Sequence, residues 1–400
     1  MMPNELTVPA NWDRGGLPGW TYHSGALLDL EKREIFATHW QIAGHVNDVP
    51  DPGDYFTFDI GDDRVLILRG QDGVVRGLHN LCRHRGARVV ADERGHCRNA
   101  LVCPFHGWVY NLDGTLRGAA RPASFGELDR AEFGLKGIET EIWNGFIFVR
   151  VRPGPQPSVA EMFAPFAEEL APYRLAEWLP TAGFTHQTIP VNWKSVRDVD
   201  NEGYHVAMAH PALQDLYGAR YLDRYFEQGI SASYGRQNPH AGRRWSVRAY
   251  VRNAPQHAEL PEDRRRLWAY YGAFPNGVFA ITPESVQFYQ EFPIAPGKTA
   301  IRGAVYRRPH EDRRTRLARY LALRIDRDTY REDIQLSVWS NEAMKSSAFD
   351  GFHLSDLEYG VRRHHDRLRQ LLPVMTLDDA PAETGMGEIN ALLGTASRNS

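Results

Sequence analysis

Between residues 30 and 40 the segment LEKREIFATHW repeats its apolar positions at helical spacing, and from about Gln41 the period shortens to that of strands. Asp54–Ile60 places Phe56, Phe58 and Ile60 on one face, and residues 64–68 continue as a second strand. Gln71-Asp72-Gly73 is a hairpin turn leading into residues 74–78, and Asp113-Gly114 marks another after 109–111. The pattern predicts a small antiparallel β domain that closes with a strand over 141–151. Residues 152–158, RPGPQPS, are the densest proline stretch in the chain and read as a linker.

Beyond the linker the periodicity predicts an amphipathic helix over 159–170, a strand over Thr185–Ile189 and an aromatic-rich, strand-like region over 267–294, punctuated by Pro275-Asn-Gly277. Helices follow over 313–325, 329–345 and 356–371. After about Leu377 the residues are small and polar, which predicts a flexible tail. No internal repeat interrupts this order.

Composition narrows the possible functions. Lys plus Arg number 47 against 50 Asp plus Glu, and a formal charge of -3 gives no electrostatic case for nucleic acid or an anionic membrane as the main partner. Apolar runs stop well short of the roughly 18 residues that a spanning helix needs, and the first residues lack a basic-then-apolar signal pattern. The expectation is a cytoplasmic protein that acts on a small molecule. Its three cysteines, Cys82, Cys97 and Cys103, suit reduced thiols better than a disulfide framework.

Two of those cysteines sit beside histidines. Asn80-Leu-Cys82-Arg-His84-Arg-Gly86 and Cys103-Pro-Phe-His106-Gly-Trp108 each offer one Cys and one His. A structural zinc site also uses two of each, but usually pairs Cys with Cys and His with His. One of each per loop suits a binuclear iron-sulfur cluster in which one iron takes both thiolates and the other both imidazoles. Gly86 and Gly107 allow the tight turns that such loops need. NLCRHRGA and CPFHGWVYNLDGTL resemble the Rieske [2Fe-2S] signature of ring-hydroxylating oxygenase large (alpha) subunits. That resemblance assigns Cys82 and Cys103 to one iron and His84 and His106 to the other, and leaves Cys97 as a bystander thiol.

The second constellation is Glu202, His205 and His210. On an ideal helix a spacing of five turns the second histidine about 140° from the first, so both can face one metal only if the helix ends or bulges. Pro211 disfavours helical geometry at His210 and supplies that distortion. The family resemblance extends here through Asn192-Trp193-Lys194 and Tyr204-His205-x4-His210. It implies that His205 and His210 bind a mononuclear iron, completed by a carboxylate from a late helix. Asp333, in Tyr330-Arg-Glu-Asp333, is the best match; it shares a helical stripe with Ser337 and Ser340, and Glu332 and Asp328 are its rivals. Glu202 stands where relatives place an acid that connects the two metal sites. Where many relatives read Glu-Asn, this chain reads Asp198-Val199, so an amide often found near the iron is missing.

The resemblance implies an α+β chain, with an all-β Rieske domain over 39–154 inserted into a catalytic domain over 155–376, a helix-covered antiparallel sheet that carries the mononuclear iron. Residues 1–38 are expected to pack with the catalytic domain and 377–400 to form the flexible tail. The implied reaction is hydroxylation, by mono- or dioxygenation, with O2 as co-substrate. The substrate would be an aromatic ring compound, as in aromatic hydrocarbon catabolism, or a betaine-like methylamine. Electrons would come from an NAD(P)H-dependent reductase or ferredoxin, since no nucleotide fingerprint occurs in the chain, and a homotrimer is expected. The competing classes are a Rieske electron carrier and a structural zinc protein. Trp268, Tyr270, Tyr271, Phe274, Phe279, Phe288, Tyr289 and Phe292 are candidates for the substrate wall or plain core.

Overall fold

The computed structural model describes residues 6–396, so the ends of the expected N-terminal segment and tail, 1–5 and 397–400, lie outside the described residues. The chain divides into two compact units. One comprises residues 36–161 and 175–180. The other comprises the residues up to Ile35, Met162–Arg174 and Thr181 onward.

The first unit is all β, as the alternating pattern predicts. Strands β1 (Gln41–His45), β2 (Asp54–Ile60), β3 (Asp63–Arg69), β4 (Val75–His79), β5 (Arg94–His96), β9 (Gly137–Trp143) and β10 (Phe146–Arg150) form an antiparallel sheet in the order β1-β10-β9-β4-β3-β2-β5. A smaller sheet contains β6 (Leu101–Val102), β7 (Val109–Tyr110) and β8 (Leu116–Gly118). The single strand expected over 141–151 is instead a hairpin. Asn144 and Gly145 both take positive φ, as a two-residue turn between right-twisted strands requires. Leu66, Leu68, Leu101, Trp108 and Tyr110 pack into one core beneath the two Cys-His loops.

In the second unit β12 (Thr185–Ile189) pairs with β18 (Lys298–Arg307), the first strand of a meander that runs β18-β17-β16-β15-β14-β13. Its other strands are β17 (Ser285–Ala295), β16 (Gly277–Ile281), β15 (Leu267–Ala273), β14 (Ile230–Arg236) and β13 (Tyr221–Tyr225); β11 (Leu179–Pro180) belongs to the first unit. Helices pack with this sheet, so the chain is α+β. The two helices expected over 313–325 and 329–345 are one helix, Arg313–Ala343. The charged Asp326-Arg-Asp328 reads as a break, but without Gly or Pro the hydrogen-bond ladder continues through it. Ala318 and Ala322, one turn apart, let this helix pack with Val247 and Tyr250 of the helix Trp245–Asn253. The tail expected after Leu377 also differs, because Met386–Ala396 is helical, Met386 is buried, and Asn390 Oδ1 accepts from Val374 N at 3.1 Å.

One buried ion pair ties the N-terminal segment to the helix that leads into the histidine pair. Asn192 caps the helix Trp193–Asp200 by accepting from Lys194 N at 2.9 Å. Lys194 Nζ donates to Glu31, whose other oxygen accepts from Trp193 Nε1 at 2.8 Å. Both charged side chains are fully buried. Glu31→Leu strands the ammonium, and a loss of about 3–5 kcal/mol is expected, read as a lower denaturant midpoint for the second unit; an unchanged midpoint shows that the pair does not hold the segment in place.

Candidate metal centres and the adjoining cavity

The two Cys-His loops share one backbone construction. Cys82 N donates to Ala87 O at 2.8 Å and Gly86 N to Cys82 O at 2.9 Å; Cys103 N donates to Trp108 O at 2.8 Å and Gly107 N to Cys103 O at 3.0 Å. Gly86 and Gly107 have φ of +77° and +67°, which a Cβ would strain. These turns bury both thiols and bring the imidazoles of His84 and His106 to a ring separation of 4.6 Å. His84 stacks on Trp108 and its Nδ1 is buried without a hydrogen-bond partner. Burial raises the Cys82 pKa. Tyr110 Oη accepts from Arg83 N at 3.0 Å, which leaves its hydrogen for Cys82 Sγ at 3.2 Å. Two buried thiols, two adjacent imidazoles and an orphaned ring nitrogen fit a [2Fe-2S] group held by Cys82, Cys103, His84 and His106. Cys97 is half-buried at the edge of the same core, and its amide donates to Gly53 O at 2.9 Å.

In the second unit the turn that follows the helix Trp193–Asp200 passes Gly203, where a Cβ would lie 2.0 Å from the Tyr221 ring. His205 then opens a short helix that ends at His210, where φ is -116° and ψ is 78°, and Pro211 begins the next helix. This break aims both rings at Asp333 on the long helix. His205 Nε2 and His210 Nε2 are 3.0 Å apart, and Asp333 Oδ1 lies 3.5 Å from the first and 2.8 Å from the second.

The outward nitrogens are held by carboxylates. Glu202 meets His205 Nδ1 and also accepts from His205 N at 3.1 Å. Glu332 Oε2 lies 2.9 Å from His210 Nδ1. With Nδ1–H of each ring donated outward, both Nε2 lone pairs face inward. Asp333 Oδ1 is buried and takes no hydrogen bond of acceptable geometry. Donor atoms about 2.1 Å from one ion and at right angles are about 3.0 Å apart, so the three separations fit one face of an octahedral divalent metal. Without a cation the site holds protons instead. Burial disfavours charge on His205, but the Asp333 and Glu202 carboxylates outweigh it and push the pKa up to about 10. Burial opposes ionisation of Asp333, yet both imidazoles hold it below the ordinary carboxylate value.

Glu332, a rival for the ligand position in the sequence, therefore contacts the far side of His210. Asp328 lies 3.9 Å from Arg331. Ser337 lines the cavity described next, whereas Ser340 is exposed. Val199, which stands in place of the amide expected near the metal, lines that cavity too, and Asp198 before it accepts from Tyr22 Oη at 2.7 Å and lies 2.8 Å from His365 Nε2.

The triad lies on the wall of a cavity of about 480 Å³, within the range of small-molecule sites. Tyr270, Phe288, Tyr289 and Tyr330 supply aromatic surface, and Asp200 and Asp326 supply carboxylates. Of the aromatic candidates, Trp268, Tyr271, Phe274, Phe279 and Phe292 are buried and do not line this cavity. Sequence reasoning missed Asp326 and Gln287, although Asp326 stands two helical turns before Asp333.

Comparison with known proteins matches residues 39–130 to the Rieske [2Fe-2S] domain and residues 175–373 to the catalytic domain of the ring-hydroxylating alpha subunit. The chain belongs to the Rieske ring-hydroxylating oxygenase alpha-subunit family. The glycine betaine monooxygenase oxygenase subunit of Pseudomonas aeruginosa is 36% identical to this Rieske oxygenase chain over 197 residues, which is 49% of this chain and 45% of that protein. The chain thus spans about half the length of these relatives. The carnitine monooxygenase oxygenase subunit of Escherichia coli is 25% identical over 92% of this chain and 98% of its own. A quaternary ammonium Rieske monooxygenase structure covers 89% of this chain and 95% of its own with a TM-score of 0.75 at 23% identity. A naphthalene 1,2-dioxygenase covers 95% of this chain and 96% of its own with a TM-score of 0.71 at 21% identity; both establish likeness of fold.

Cys82→Ser is expected to abolish the cluster absorbance and leave mononuclear iron, and Asp333→Ala to do the reverse. Glu332→Gln should keep the fold and weaken mononuclear iron about 10- to 100-fold, measured by competition with a chelator. Undiminished iron affinity in Glu332→Gln shows that His210 is oriented without it.

Proposed function

We propose that this protein is the oxygenase component of a multicomponent enzyme that uses O2 and externally supplied electrons to hydroxylate a small organic substrate. The observation that carries the reading is the placement of His205, His210 and Asp333 on the wall of a substrate-sized cavity in a chain with a Rieske domain. A bare electron carrier has no use for either the triad or the cavity. When bound, the [2Fe-2S] group held by Cys82, His84, Cys103 and His106 supplies one-electron transfer, and the ferrous ion held by His205, His210 and Asp333 supplies reductive O2 activation.

The chain's own residues set the conditions for that chemistry. Glu202 and Glu332 keep the imidazole protons at Nδ1 and so keep Nε2 free on both rings. The aromatic wall limits water around the reacting carbon. Monooxygenation balances as R–H plus O2, two electrons and two protons giving R–OH and water. The electrons come from an NAD(P)H-dependent reductase or ferredoxin, which places the protein in the cytoplasm beside its donor. Two substrate classes are supported by relatives: betaine-like methylamines by the glycine betaine monooxygenase oxygenase subunit, and aromatic compounds by a 2-aminobenzenesulfonate 2,3-dioxygenase alpha subunit of an Alcaligenes species, 26% identical over 80% of this chain.

Glu202 also connects the two centres. Each of its oxygens keeps a lone pair beyond the bonds it makes to His205. Exposed Tyr204 and Met208 follow it in the sequence, a setting in which the Rieske domain of a neighbouring subunit of a homotrimer can reach it.

Anaerobically prepared protein should contain about three irons per chain, with acid-labile sulfide, and should consume O2 with a surrogate reductase when screened against betaines and aromatic acids. Stoichiometric zinc without sulfide defeats the reading. Once loaded with both metals, Glu202→Gln should reduce its cluster normally, yet reoxidise that cluster slowly when the pre-reduced protein meets O2 and substrate. Reoxidation at the wild-type rate leaves Glu202 as an orienting carboxylate for His205 alone.

A further inference from the structure

The cavity beside the triad contains one carboxylate whose charge is not matched. Asp200 pairs with Arg197 at 3.1 Å, Glu202 with His205, and Asp333 with both histidines. Asp326 has one hydrogen-bond donor, Gln287 Nε2 at 2.7 Å, and no ion pair among the described residues. Arg327 also reaches the wall, but it is exposed and forms no ion pair with Asp326. Burial pushes the Asp326 pKa up only to about 6, so the group is ionised at neutral pH. Tyr270 and Tyr289, both on the cavity wall, feel its charge.

A carboxylate left in an aromatic cavity without a cation is costly unless a ligand brings one. Resting on the oxygenase reading above, we propose that the substrate is a small alkylated ammonium cation and that Asp326, braced by Gln287, is the counter-charge that seats it beside the metal triad. An ammonium without N–H groups has no hydrogen bond to give, so its recognition relies on charge and on ring faces, which Asp326 and Tyr270, Phe288 and Tyr289 provide. The placement suits oxidation of an alkyl group on the nitrogen. Asp326 precedes Asp333 by seven residues, so the two side chains share one helix face about 10 Å apart along its axis. A cation held by Asp326 fits between them, with its far substituent turned toward the triad. A neutral aromatic ring of similar size would fill the same volume and leave the carboxylate unmatched.

The test uses the iron-loaded, cluster-containing protein, titrated anaerobically and without reductant by calorimetry. The probes are choline and 3,3-dimethylbutan-1-ol, its uncharged isostere. Wild type is expected to bind choline at least about tenfold more tightly. Asp326→Asn should bring the two affinities to within about twofold while metal analysis and cluster absorbance remain normal, and Asp326→Glu should keep the preference. Equal affinities in wild type, binding of neither probe, or a preference that survives in iron-replete Asp326→Asn overturns the proposal. If Asp326→Asn loses iron, wild type and Asp326→Glu decide: a cation preference in both supports the proposal, and its absence in either overturns it. Neither O2 nor electrons enter the titration. A cation preference in a protein that never consumes O2 therefore defeats only the oxygenase reading, whereas O2 uptake driven by a neutral aromatic compound without that preference defeats only this inference.

Discussion

Three lone-pair-bearing atoms, Nε2 of His205, Nε2 of His210 and Oδ1 of Asp333, converge to between 2.8 and 3.5 Å, and the catalytic unit is organised around their mutual repulsion. Such a cluster is stable only around positive charge. Protons can supply it, as the raised pKa of both histidines shows. A divalent cation supplies it at one central point and lets the outer carboxylates keep the Nδ1 protons. Glu202 and Glu332 thus act through the imidazoles, and their negative charge makes each ring a stronger donor.

The two metal centres reach their geometry by different means. In the Rieske loops the backbone orients the ligands, through two equivalent turns whose glycines adopt conformations closed to other residues. In the catalytic unit the backbone only delivers the ligands, from a broken helix and a long intact one, and side-chain carboxylates set the ring orientation. Backbone turns leave a short local imprint in the chain. Carboxylates arriving from 122 residues away do not.

That contrast explains how much could be read from the sequence. Cys82, His84, Cys103 and His106 were legible because Gly86 and Gly107 stand at fixed offsets from the ligands. The break at His210 was legible because Pro211 has a strong local effect. The place of Glu332 was not, because 332 and 333 point about 100° apart on a helix and only the position of His210 decides which faces it. Strands β13 and β14 were missed because YLDRY and ISASYGR carry charged and small residues on half-exposed positions and lack clean alternation. Asp326 was missed because it fell in the gap between the helices expected over 313–325 and 329–345. It lies instead on the cavity wall, where tertiary packing overrides the local signal.

Asp326, Glu332 and Asp333 all stand on the helix Arg313–Ala343, which runs for 31 residues without a break. The helix therefore behaves as a ruler with fixed divisions. A single residue inserted between 326 and 333 would advance the carboxylate by about 1.5 Å and swing it by about 100°, off the cavity altogether. Length changes here are compatible with function only in steps near a whole turn. A homologue that accommodates a longer or shorter molecule must therefore change its length in the loops and strands opposite, and leave this segment in register.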